Sequence, residues 1–291
     1  MFRITQRSMA DTTYANLQSS LSRSSRLQEQ LASGKQVAKP SDSPIGASDI
    51  MQLRGERAAN AQFVRNADNG LSWLNTADSA LQLSAAALRR GQELTVRGGN
   101  GALGQPVRDA IAAEIRGVRA SLLELANTQY LGRPVFGGTT GGPSAFDGTG
   151  TYTGDGGTVE RRVGAESSVR VDVDGVAAFG TGPGSVFARL DAIAADLEAG
   201  LPTGGHLSGL GEALEQLTGV LSGVGARTNR IENLKAKADD AGITLRSAQS
   251  QIEDIDLPKA ILELQMQTVA YQAALGATAK VLQPTLLDFL R

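Results

Sequence analysis

Residues 207–255 read LSGLGEALEQLTGVLSGVGARTNRIENLKAKADDAGITLRSAQSQIEDI. Within them Leu207, Leu210, Leu214, Leu217, Leu221 and Val224, then Ile231, Leu234, Ala238, Ala241, Leu245, Ala248, Ile252 and Ile255, recur at steps of three and four. That alternation lays one apolar seam along an α-helix, and its persistence over this length is the mark of coiled-coil or bundle packing. Gly209, Gly211, Gly219, Gly223, Gly225 and Gly242 fall inside the same stretch. Each costs about 1 kcal/mol against alanine in a helix interior, so a break into two or more helices is expected.

Working outward, the same period returns on both sides. Leu74, Ala77, Leu81, Ala85 and Leu88 make one stripe. Ile111, Ile115, Val118, Leu122 and Leu125 make another behind Pro106, and Val186, Leu190, Ile193 and Leu197 a third. Between Gly132 and Gly184 lie fifteen of the 35 glycines, a density that no helix tolerates. There Val169, Val171 and Val173 alternate with Arg170, Asp172 and Asp174, which reads as a strand with one buried and one solvated face. Thr151-Tyr152-Thr153 and Thr158-Val159-Glu160-Arg161 flank Gly154-Asp155-Gly156-Gly157, which reads as a hairpin turn.

The chain ends carry thinner stripes. Ala10, Tyr14, Leu17, Leu21, Ser24 and Leu31 keep heptad spacing with Leu27 alongside. Near the other end Leu262, Met266, Val269 and Ala273 extend the seam, with Leu275, Leu282 and Leu286 on a second edge. Such Ser- and Gln-rich helices are marginal alone. They are expected to pair with each other, to satisfy their remaining apolar surface on neighbouring molecules, and to stay disordered in the monomer until assembly. Gly34 is placed to close the first helix in a left-handed conformation. Ser41-Asp42-Ser43-Pro44 then offers a cap and a first-turn proline for the next one, and Pro258 marks a kink or a helix start.

The fold class expected is therefore mainly α with an inserted small β domain, a long antiparallel helical bundle or coiled coil being formed by the N- and C-terminal arms. Residues 1–35 and 250–291 are read as terminal helices forming an axial polymerisation region. Residues 36–133 and 185–249 are read as a helical rod domain, and 134–184 as an outward-facing glycine-rich β domain.

Composition narrows the chemistry. Cysteine is absent and histidine occurs once, which excludes disulfides, thiolate nucleophiles and histidine-rich metal sites. The formal charge of −2 steers the chain toward neither nucleic acid nor anionic membrane, and no stretch approaches the roughly 18–20 apolar residues of a membrane span. Met1-Phe2-Arg3-Ile4-Thr5-Gln6-Arg7 has no apolar region behind its basic residues, so an ordinary cleaved secretory signal is not expected. His206 reads as a solvated loop residue. Asp155, Asp172 and Asp174 lack the glycine and distal glutamate of a calcium loop, and Gly98–Gly104 lacks the lysine of a phosphate loop and reads as a helix–helix turn. Ser8, Ser33 and Ser43 have no nucleophile-elbow context. No catalytic, cofactor or metal residue is therefore assigned, and the short insert shows no pocket-forming aromatic cluster.

Three segments carry a resemblance. Leu31-Ala32-Ser33-Gly34-Lys35-Gln36-Val37-Ala38-Lys39-Pro40-Ser41-Asp42-Ser43-Pro44-Ile45-Gly46-Ala47 resembles the flagellin-family pattern L-S-S-G-K-R-I-x-x-P-S-D-D-P-x-G-A. The run from Leu88 to Gly101 is similar to L-x-R-x-x-E-L-A-V-x-A-x-N-G, and Gly225–Glu232 to G-A-x-x-N-R-L-E. Gly91 departs from the pattern, where a good helix former is usual, and predicts a softened helix. Within the family the resemblance runs to the hook–filament junction proteins, the third hook-associated proteins. It rests on the short Arg3-Ile4-Thr5 opening, on Gly132-Arg133-Pro134-Val135-Phe136-Gly137-Gly138-Thr139, and on the Thr285-Leu286-Leu287-Asp288-Phe289-Leu290 close.

The resemblance implies a non-enzymatic structural adaptor of the bacterial flagellum, without cofactors, exported through the flagellar type III channel with a cytoplasmic chaperone bound. It implies an extracellular ring of identical subunits between hook-associated protein one on the hook side and flagellin on the filament side. The assembly contacts expected are Leu17, Leu21, Leu27, Leu31, Ile252, Ile255, Leu262, Met266, Val269, Leu282 and Leu286. The competing readings are a minor flagellin that forms the filament itself, and an exported enzyme or adhesin acting through the insert. The stretch Leu88–Asn100 also resembles a part of flagellin seen by innate immune receptors.

Overall fold

The structure, a computed structural model, describes residues 6–281, with side chains described from 11 to 279. Among them are seven α-helices: α1 (Gln6–Ser33), α2 (Pro44–Gly98), α3 (Gln105–Ala126), α4 (Gly175–Phe179), α5 (Val186–Glu198), α6 (Leu207–Glu253) and α7 (Leu257–Val281). Two small antiparallel sheets accompany them. One joins β1 (Gln129–Tyr130) to β2 (Arg133–Pro134), and the other joins β3 (Glu160–Arg162) to β4 (Ser168–Arg170). The chain divides into two compact units, Ala59–Ala241 and the residues up to Ala58 together with those from Gly242. Helices α2 and α6 contribute to both.

In the Ala59–Ala241 unit the sequence stripes become the core. Leu74, Ala77, Leu81, Ala85 and Leu88 of α2, Ile111, Ile115 and Leu122 of α3, and Val186, Leu190, Ile193 and Leu197 of α5 are all buried. Helix α6 runs antiparallel to α2 here. Ile231 reaches Gly70, Lys235 pairs with Asp68 at 2.5 Å, and the Asn60 side chain donates to the Ala238 carbonyl at 2.7 Å.

The expected break in α6 does not occur; it is one helix from Leu207 to Glu253. Gly211, Gly219, Gly223 and Gly225 all face open space and stabilise nothing. Their cost of about 1 kcal/mol each is outweighed by full burial of Leu210, Leu217, Val224 and Ile231, worth about 1.5–3 kcal/mol apiece. Gly91 does not soften α2 either. A Cβ there would meet Leu190 Cδ2 at 3.2 Å, and one at Gly98 would meet Leu197 Cδ2 at 2.6 Å. Seven residues apart on each helix, the two glycines and two leucines let α5 lie close against α2. Helix α5 also packs along α3, braced by Arg119 to Asp191 at 2.7 Å and by an ion pair between Arg116 and Glu198.

The glycine-rich insert departs from its reading in two ways. Gly154–Gly157 is not a hairpin turn; β3 pairs with β4 around Val163–Ser167, while the Asp155 carboxylate accepts from the backbone N–H of Thr139 at 2.8 Å and of Gly157 at 3.0 Å. Asp172 is not on a solvated face: fully buried, it accepts from the Val159 N–H at 2.7 Å, in place of a strand carbonyl, and from Arg170 at 2.7 Å. The aromatic side chains cluster, but not around a pocket. Phe146 stands edge-on to Tyr152, Phe179 and Phe187 at 5.3–5.6 Å, and Phe136 to Phe179 at 5.3 Å, filling the core of the insert rather than lining a pocket.

Gly98→Ala is expected to destabilise this unit by about 1–3 kcal/mol, because Leu197 is too buried to give way. Gly219→Ala, in open space, is expected to stabilise it by about 0.5–1 kcal/mol. Urea denaturation followed by circular dichroism reads both, and effects of the same sign would refute the close-packing role of Gly98.

Candidate assembly interface

Helix α1 ends at Gly34, whose φ of +69° is the left-handed closure that glycine adopts freely. Ser43 Oγ accepts from the Gly46 N–H at 3.1 Å and caps α2. Helix α7 starts at Leu257 with Pro258 in its first turn, and Asp256 Oδ1 accepts from the Lys259 N–H at 3.2 Å. α1 and α7 lie antiparallel: Ser20 faces Gln267, and Gly34 faces Ile255.

The inward positions of α1 are Thr13, Leu17, Ser20, Ser24, Leu27 and Leu31; those of α7 are Ala260, Leu264, Gln267, Tyr271, Ala274 and Thr278. Both sets step by four and three. Only Ser20 and Ala260 among them are buried, and at the centre Gln267 Nε2 donates to Ser20 Oγ at 2.8 Å and to the Ser20 carbonyl at 3.2 Å. The seam is polar and thin.

Of the residues expected at the interface, Leu17, Leu27 and Leu31 lie half-buried in this seam. Leu21 lies outside it, 56% exposed. Ile252 is half-buried at the end of α6, where a Cβ on Gly46 would stand 3.4 Å from it. Ile255 is not helical: it sits in the break between α6 and α7, its N–H donating to the Gly34 carbonyl at 3.1 Å. Leu262, Met266 and Val269 do not extend the seam but face outward, 57%, 57% and 65% exposed. The break at 254–256 resets the period, so α7 presents the Ala260–Leu264–Gln267 face to α1 instead. Sequence reading missed Ser20, Ala260, Leu264, Gln267 and Tyr271, although their spacing is as regular as that of the stripe it chose. Leu282 and Leu286 lie outside the described residues.

Where the two breaks meet, Glu253 gathers three side chains. Its carboxylate accepts from Lys35 Nζ at 2.5 Å, Arg54 Nη2 at 2.7 Å and Gln249 Nε2 at 2.5 Å, and its carbonyl accepts from the Gln36 N–H at 2.8 Å. The Lys35 ammonium, then the Gln249 amide and Arg54, hold the buried carboxyl down at about 2.

Two family models match this chain: that of the bacterial flagellin N-terminal helical region over residues 4–140, and that of the C-terminal helical region over 207–290. The chain belongs to the flagellin family. Within it, this family member is 30% identical over 276 residues to flagellar hook-associated protein 3 of Escherichia coli, covering 86% of this chain and 87% of that protein. It is 26% identical over 301 residues to flagellar hook-associated protein 3 of Salmonella typhimurium, covering 94% of each. Its fold is that of Bacillus cereus FlgL, with a TM-score of 0.61 at 23% identity over 68% of this chain and 99% of that one. The family is one of structural flagellar proteins rather than enzymes.

The acidic side chains in the insert of this flagellin-family chain have structural work. Asp174 caps α4 through the Val176 N–H at 2.9 Å, Asp172 is taken by Val159 and Arg170, and the Thr139 hydroxyl with the Gly157 N–H holds the Asp155 carboxyl down at about 2. His206 is not simply solvated: its Nε2 lies 2.6 Å from Asp196 Oδ2 on α5. Gly98–Gly104 is the α2–α3 turn.

The Glu253 cluster sets a pH dependence. A carboxyl whose folded value lies below its ordinary 4.5 stabilises the fold fully above that value and progressively less as pH falls toward about 2. Because Lys35 and Arg54 are about half exposed and screened, the loss is expected to be about 1–2 kcal/mol. Urea midpoints at pH 7, 4.5 and 2.5 should fall more steeply for the parent chain than for Glu253→Gln; parallel curves would remove the cluster from the account.

Proposed function

We propose that this flagellin-family protein is the adaptor between the flagellar hook and filament, a ring of identical subunits meeting hook-associated protein 1 on one side and flagellin on the other. In this reading residues 1–35 and 250–291 form the axial polymerisation region, and the insert at 134–184 faces outward. The chain reaches its site outside the cell through the type III export channel, without a cleaved signal and with a chaperone bound beforehand. The observation that carries the reading is an inversion in α7: Gln267 points into the α1 seam, while Ile261, Leu262, Met266 and Val269 point out. A folded monomer has no use for that arrangement, and a subunit that buries its outer face on neighbours does.

Antibody labelling of native flagella, viewed by electron microscopy, tests the placement. A single band between hook and filament is expected. Label along the filament would mean a minor flagellin instead, and label on neither would refute a flagellar position.

Met266→Asp with Val269→Asp is expected to leave monomer stability within about 0.5 kcal/mol and to abolish co-assembly with hook-associated protein 1 and flagellin, read by sedimentation. In the monomer, amide exchange should be faster across the marginal α1–α7 pair than across Ile111–Leu125. Protection of α1 and α7 equal to that of Ile111–Leu125 would contradict completion of the pair by assembly.

A further inference from the structure

Two interruptions in the helical arms coincide. Residues 34–43 separate α1 from α2, residues 254–256 separate α6 from α7, and the two breaks lie side by side. Backbone bonds cross between them: the Gln36 and Val37 N–H groups donate to the Glu253 carbonyl at 2.8 and 3.4 Å, and the Ile255 N–H donates to the Gly34 carbonyl at 3.1 Å. A helix pair leaving through two unbroken helices would be held stiffly. One leaving through two adjacent breaks has a common line about which it can turn.

The side chains at that line come from different elements and converge on one group. Glu253, in the last turn of α6, receives Lys35 from the first break and Arg54 from α2, with Gln249 beside it and Arg57 behind Gln249 at 2.5 Å. Lys35 and Arg54 are the cations that face it, and without the carboxylate they face each other. Each is 43–54% exposed and has water to turn to, so removing the carboxylate releases the contact rather than leaving a buried charge.

We propose that Glu253 is the latch of a two-strand hinge about which α1 and α7 turn together relative to the adjoining ends of α2 and α6. Closed, it fixes the angle at which the pair leaves; open, it lets the pair take another angle without parting its own seam. The use of that freedom, in fitting one subunit between unlike neighbours, rests on the assembly reading above. The latch itself is a property of the isolated chain and is tested there.

The chain contains no cysteine, so spin-label pairs can be introduced without background. In the full-length monomer, Ser22→Cys with Ser48→Cys reports α1 against the start of α2, and Ser22→Cys with Gln265→Cys reports α1 against α7; all three positions are exposed. By pulsed electron resonance, Glu253→Gln should broaden the first distance distribution about twofold or more and leave the second unchanged. Lys35→Met should give the same pattern at smaller amplitude, and carries the test if Glu253→Gln loses helicity. An unchanged first distribution would overturn the latch. Broadening of both would overturn the hinge, because the pair would then be coming apart instead of turning.

Discussion

One face of α2 holds the Ala59–Ala241 unit together. Trp73, Leu74, Leu81, Leu88 and Leu94 on that face are almost wholly out of water. The neighbouring elements reach it where α2 gives them room: α5 at Gly91 and Gly98, and α6 and Val171 at Gly70. Close approach with large leucines on both sides is what turns a series of separately amphipathic helices into one core. The glycines here act by absence of volume, and their helix-propensity cost of about 1 kcal/mol each is small beside the leucines they let bury.

The unit made by the chain ends obeys a different constraint. Its helix pair meets through Ser20 and Gln267, with Leu17, Leu27 and Leu31 only half-buried. Hydrogen bonds and the charges at Glu253, more than packing, set the register there. Directional contacts of that kind define geometry while contributing little net stability in water. A seam that specifies a pairing without holding it tightly suits a segment whose stability is completed by other molecules, and the outward apolar stripe of α7 supports the same reading.

Much of this was legible along the chain. The stripes of α2 and α5 appear in the sequence and are buried in the fold, those of α3 and the first part of α6 are buried in part, and the Gly34 closure and Ser43 cap could be read from short-range chemistry. What misled was equally physical. The glycines of α6 predict a break only if the energy is summed locally. The packing of Phe136, Phe146, Phe179 and Phe187 was not misread but simply not visible, because the four lie far apart in sequence. Asp172 resembles a solvated strand residue until it is known that the Val159 N–H has its carboxylate, and no strand carbonyl, as acceptor.

The sequence by itself determined where helices run and which side of each carries apolar groups, because those depend on the period of the backbone and on caps a few residues away. It also carried the family, through local motifs in the two helical arms. Only the tertiary structure decided which of two equally periodic faces of α7 turns inward. That choice was made by the three-residue break at 254–256, which resets the helical phase, and by the partner available to Gln267 on α1. Phase across a break and the identity of a distant partner are non-local quantities, and no count along the chain contains them.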